Sequence, residues 1–126
     1  RPPPIRSLVC EGSTLHGELR FVDGLRIDGE VQGDVLAVSG AHSLLVISEK
    51  ARVHGKVIAE HVIISGEVHG PIQCHGLLEL QPKARIVGHV SYGTLEMHRG
   101  ASVNGELRSM TNSERPTLKL AASNDK

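Results

Sequence analysis

The chain of 126 residues has room for one domain. Phe21 and Tyr92 are its only aromatic residues, so Val, Ile and Leu must build the core, and these branched side chains favour strands. Fourteen Lys and Arg balance fourteen Asp and Glu, which excludes a global field that draws the protein to nucleic acid or anionic lipid and leaves self-association unopposed. No stretch approaches the roughly 20 apolar residues that span a bilayer, and no signal-peptide core is visible.

In chain order, residues 1–6 open with Arg1-Pro2-Pro3-Pro4, which cannot pair in a sheet and predicts an extended, mobile tail. From Ser7 a repeat begins. An apolar residue, any residue, Gly, a polar residue and another apolar residue recur at Leu15–Leu19, Ile27–Val31, Val53–Val57, Ile64–Val68, Ile86–Val90 and Val103–Leu107. Aligning the longer segments from Leu45, Val62, Leu78 and Leu95 gives a period of about 17 residues. Val9, Ile27, Ile47, Ile64, Leu80 and Met97 then form one column. Its largest step falls across Ser39-Gly40-Ala41-His42-Ser43, which predicts a surface loop.

Within each repeat apolar and polar residues alternate, as in Ala51, Val53 and Val57 against Arg52, His54 and Lys56, the period of half-buried strands. The unit is too short for two packed helices. The expected fold is all-β: a single-domain, right-handed parallel β-helix over residues 7–109, a three-faced solenoid of about six coils, with disordered termini. Stacked at ~4.8 Å, six coils make a rod on the order of 30 Å long. The register predicts an outer charge ladder of Lys50, Glu67 and Lys83 and an inner apolar ladder of Val57, Cys74, Val90 and Leu107. Cys10 and Cys74 adjoin apolar runs and are expected as two buried free thiols, which favours a cytoplasmic setting. Residues 110–126 lose the repeat and are expected to be a flexible tail.

Eight His residues raise the question of a metal. In the repeat register they scatter: His54 falls in a column with Pro71, Val87 and Asn104, His69 with Arg52 and Arg85, and His89 with Lys56, Gln73 and Glu106. His16 and His54 share a column two coils apart, roughly 9.6 Å, too far for one ion. No catalytic triad and no phosphate-binding G-x-x-x-x-G-K-[ST] loop is present, and Gly29 to Gly33 recurs at Gly66 to Gly70 as a corner. The reading is therefore not an enzyme, with no metal, cofactor or catalytic residue. A hexapeptide-repeat enzyme would need a six-residue period that this chain does not keep.

An open solenoid exposes strand edges at both ends, and soluble solenoids normally cap them. Here the first coil and the last are as apolar as the middle. Assembly is expected through Val9, Leu15 and Leu19 at one end and Leu95, Met97, Val103 and Leu107 at the other.

The succession GLRIDGEVQGDVLA, then SLLVISEKARVHGKVIAEHVIISGEVHGPI, resembles the bactofilin family over about residues 8 to 108. The resemblance implies a bacterial cytoskeletal protein that polymerises without nucleotide into filaments lacking polarity. It further implies a place at the cytoplasmic face of the inner membrane, where filaments recruit cell-wall or cell-shape enzymes; some members instead serve chromosome segregation or motility. Membrane contact in the family often uses an apolar N-terminal stretch. None precedes Arg1, so contact would come through a segment upstream or through a partner. The alternative outside the family is a monomeric binding module that docks a partner on a charged face with Lys50, Arg52, Lys83 and Arg85.

Overall fold

The computed structural model describes residues 3–38 and 42–110. Among these described residues sixteen strands run in chain order: β1 Ile5–Val9, β2 Thr14–His16, β3 Leu19–Phe21, β4 Asp23–Ile27, β5 Glu30–Gln32, β6 Val35–Ala37, β7 Ser43–Ile47, β8 Arg52–His54, β9 Val57–Ala59, β10 His61–Ile64, β11 Glu67–His69, β12 Ile72–Leu80, β13 Arg85–Val87, β14 Val90–Met97, β15 Ser102–Asn104 and β16 Leu107–Ser109. Every strand pairing is parallel, and each strand lies on the one a turn away. The result is a β-solenoid of about six turns with three faces.

The first face stacks β1, β4, β7, β10 and the C-terminal halves of β12 and β14. The second, a separate six-stranded sheet, stacks β2, β5, β8, β11, β13 and β15. The third stacks β3, β6, β9, the N-terminal halves of β12 and β14, and β16. In the last turns β12 and β14 pass from the third face to the first without a break, with an irregular register between Cys74 and Leu77. The expected surface loop lies partly at 39–41, outside the described residues, but Ser43 is not part of a bulge. It starts β7 and is buried, and its hydroxyl accepts the Glu60 amide at 2.9 Å. Likewise β1 begins at Ile5, two residues inside the segment expected to be a tail. The other expected tail, from residue 110 on, falls almost wholly outside the described residues.

Inward side chains form continuous columns because parallel strands in register place like positions above one another. The column Val9, Ile27, Ile47, Ile64, Leu80, Met97 is observed as the repeat predicts. On the second face Leu15, Val31, Val53, Val68, Ile86 and Val103 stack. On the third, Leu19, Val35, Val57, Ile72, Val90 and Leu107 stack. Ile72, not Cys74, fills that place; Cys74 pairs with Ala59 and Tyr92 one position further round.

The displacement has one cause. Between the first and second faces, turns one, three, five and six take a long corner closed by an i+3 bond, such as the Ala51 amide to the Ser48 carbonyl at 3.0 Å. Turns two and four take a short corner through Gly29 and Gly66, where a Cβ would strike carbonyl oxygens of the preceding long corner. The short corner drops two residues, so every position after it in those turns shifts by two against a uniform 17-residue alignment. Glu67 therefore lies between Arg52 and Arg85, not between Lys50 and Lys83. For the same reason the copies at Ile27–Val31 and Ile64–Val68 are not equivalent to the other four.

The equivalent glycines are Gly17, Gly33, Gly55, Gly70, Gly88 and Gly105, which line the second corner at positive φ. Each backbone there lies directly beneath the previous one, and the Gly70 amide reaches the Val87 carbonyl at 2.9 Å. A long corner overhangs each short one, and exposed ion pairs cross the gaps: Lys50 to Glu11 at 3.1 Å and Lys83 to Glu49 at 3.6 Å. Being exposed, each contributes roughly 0 to 1 kcal/mol. Beneath the first overhang, the Ser48 hydroxyl holds the Asp28 carboxyl below its ordinary value.

Candidate functional site

The seven residues expected to carry assembly divide between the two ends of the rod. Val9 in β1, Leu15 in β2 and Leu19 in β3 are the inward residues of the first turn, each half-buried against the turn below. Leu95 and Met97 in β14, Val103 in β15 and Leu107 in β16 are their counterparts in the last turn. One turn inward, Ile27, Val31 and Val35 have no exposed surface, because a turn lies on both sides of them. Met97 is 43% exposed and Leu107 42%. Position in the stack decides this difference, since all five are apolar side chains of the inward columns.

The backbone repeats the pattern. Among the described residues, β1, β2 and β3 pair with β4, β5 and β6 alone, and β15 and β16 with β13 and β14 alone. Each end therefore combines an apolar centre with a row of strand edges, which template further pairing. Among the described residues no strand lies beyond them.

Two features of the ends escaped sequence reasoning. Two of the inward columns finish on a small polar residue, one with Ser7 opposite Leu25 at the first turn and one with Ser109 opposite Tyr92 at the last. Tyr92, half-buried against the core, thus belongs to the C-terminal end surface. The small size of Ser109 in a column of Phe21, Ala37, Ala59, Cys74 and Tyr92 was the available signal.

The cysteines differ from expectation. Both are free, but Cys10 is exposed on the long corner of the first turn, where its side chain points away from the core. Cys74 is buried; its thiol donates to the Glu60 carbonyl at 3.2 Å, and burial pushes it up to about 11. The histidines differ too. His69 sits beside His54, not in a column with arginines, and the two rings stack at 5.0 Å between centroids. His54 does share its column with Val87 and Asn104, while Pro71 belongs one corner on, beside His89. His89 accepts the Glu106 amide at 3.1 Å, while Pro71 lies between it and Lys56, and Gln73 pairs with Ile58 and Ser91. His61 and Glu79 meet at 3.1 Å on the first face. Among the described residues no three His, Cys, Asp or Glu side chains gather as metal ligands, and no helix is long and apolar enough to cross a membrane.

A protein-family model described as "Bactofilin: Polymer-forming cytoskeletal" matches residues 7–108. No curated protein and no solved structure matches the chain. The matched span runs from the first strand to the last, so it covers all six turns and both end surfaces.

Proposed function

The chain belongs to the bactofilin family of polymer-forming cytoskeletal proteins, and from that premise we propose that it polymerises end to end, without nucleotide, into filaments that lack polarity. These filaments serve as a scaffold for bacterial cell-shape or cell-wall machinery at the cytoplasmic face of the inner membrane. The body that assembles is residues 7–109, and like ends meet.

One observation carries the reading: the inward apolar residues are fully covered in the middle turns and open in the first and last. Closing an end against a second copy completes both the apolar stack and the strand ladder. Burying one Val or Leu side chain contributes roughly 1.5 to 3 kcal/mol, so a handful of residues per end supplies a stable contact. The polymer interface is Val9, Leu15 and Leu19 at one end and Leu95, Met97, Val103 and Leu107 at the other.

Val103→Asp and Leu107→Asp each place a carboxylate in that contact. Both variants are expected to lose filaments in negative-stain micrographs taken without nucleotide while keeping a β-rich circular dichroism spectrum. Filaments persisting in both, or a wild-type chain that stays in the supernatant as a monomer, would overturn the proposal.

A further inference from the structure

The second face presents to solvent a ladder that the ends do not use. From the second turn to the fifth it reads Glu30, Arg52, Glu67, Arg85, each in direct register with the next. Thr14 and Ser102 continue it at the outermost turns. Beside it runs a second outward column, His16, Gln32, His54, His69, Val87 and Asn104. Arg52 meets Glu67 at 3.1 Å, yet their side chains remain 65% and 40% exposed, so both still offer charge outward.

Such a ladder is complementary to its own reverse. Turned over about an axis that lies in the face and across the rod, Glu30 meets Arg85 of a second copy and Arg52 meets Glu67. All four pairs are then opposite in sign. The same rotation sets His54 over His69, Gln32 over Val87 and Thr14 over Ser102. At the margins it brings Lys83 towards Asp28 and Glu11 towards Arg99. Glu18 and Glu106, which meet as like charges at the outermost turns, are each held by an arginine of their own turn, Arg20 and Arg108. A side-by-side pairing with both rods pointing the same way sets Arg52 over His54 and Glu30 over Gln32, with no such matching.

We infer that the six-stranded face is a lateral interface with an antiparallel second copy of this chain, the contact that joins filaments into bundles. The inference rests on the filament reading above, because one face is small. Six strands at ~4.8 Å and three residues at ~3.3 Å give about 300 Å² per copy, against about 800 Å² per partner in a stable dimer. Single copies therefore do not pair through it; a filament repeats the contact many times and binds by avidity. A filament without polarity presents subunits in both directions, so any two filaments can supply the antiparallel match.

The test uses the full chain at low and high salt, read by filament bundling in negative-stain micrographs and by low-speed sedimentation. Wild-type filaments are expected to bundle at low salt and to separate at high salt, as exposed charge pairs are screened. Arg52→Glu makes two of the four pairs repulsive and is expected to give single filaments at both salts. The double exchange Arg52→Glu with Glu67→Arg reads acid, acid, base, base, which still matches its own reverse, so bundles should return. Circular dichroism and melting of each variant check that the fold persists. Wild-type filaments that stay single at low salt, Arg52→Glu filaments that bundle like wild type, or a double exchange that stays single would each overturn the inference and leave polymerisation standing. A wild-type chain without filaments overturns both.

Discussion

A single methyl group separates two kinds of glycine in this chain. At Gly70, φ is +150 and a Cβ would overlap the carbonyl oxygen of Gly55 in the turn before, so Ala faces both a disfavoured conformation and a backbone that cannot move aside. At Gly12, φ is +88 but nothing lies within 4 Å, so only the conformational cost applies. Gly70→Ala is expected to lose about 3 kcal/mol or more in urea unfolding, and Gly12→Ala about 1 kcal/mol. Equal losses would show that the stacked corner yields. The cysteines give a second contrast. Exposed Cys10 should react with a thiol reagent in the native protein, while Cys74 should react only on unfolding. Burial raises the Cys74 thiol from its ordinary value of 9.0 to about 11, so the folded state retains its proton where the unfolded state has lost it. Stability is therefore complete below pH 9 and falls as pH rises from 9 towards 11. Melting of wild type against Cys74→Ala across that range should show the slope reduced in the variant.

Columns, not single strands, are the unit of stability at the next scale. Ile64 has no exposed surface and a turn on either side, whereas Met97 ends the same column with 43% of its surface open. Ile64→Ala is expected to cost about 2 to 5 kcal/mol, and Met97→Ala less than about 1 kcal/mol in the unassembled chain. Urea unfolding at low protein concentration separates the two. The first-face column was legible from sequence because the repeat segments that align from Leu45, Val62, Leu78 and Leu95 begin on that face, ahead of the variable corner of their own turn. Positions beyond that corner were not. Gly29 and Gly66 satisfy the same five-residue pattern as the second-corner glycines, and only the strand pairing shows that they turn a different, shorter corner. The two-residue shift moved Glu67 onto Arg52 and brought His69 beside His54.

For the molecule as a whole, the two proposed contacts draw on different chemistry of one stack. The ends are apolar and gain from burial, which salt does not screen and which excluded salts such as sulfate strengthen. The six-stranded face is charged and exposed, and its pairs weaken beyond a Debye length of about 3 Å at 1 M salt. Raising salt is therefore expected to dissolve bundles while filaments persist, with turbidity falling and filament length in micrographs unchanged. A net charge of zero leaves neither contact opposed by long-range repulsion.

The sequence by itself determined that this protein is a solenoid, because a period near 17 residues with alternating apolar positions cannot bury its apolar face except by stacking turn on turn. It also determined which residues would stand at the ends, since a stack has a first turn and a last. Only the tertiary structure decided which charges face one another across the second sheet, that Cys10 stays in solvent, and that Ser7 and Ser109 each finish one inward column. The physical reason lies in the corners. Their length is set by whether a backbone can tuck beneath the carbonyls of the turn before, a contact between residues some 17 apart that a repeat pattern records only as the same glycine.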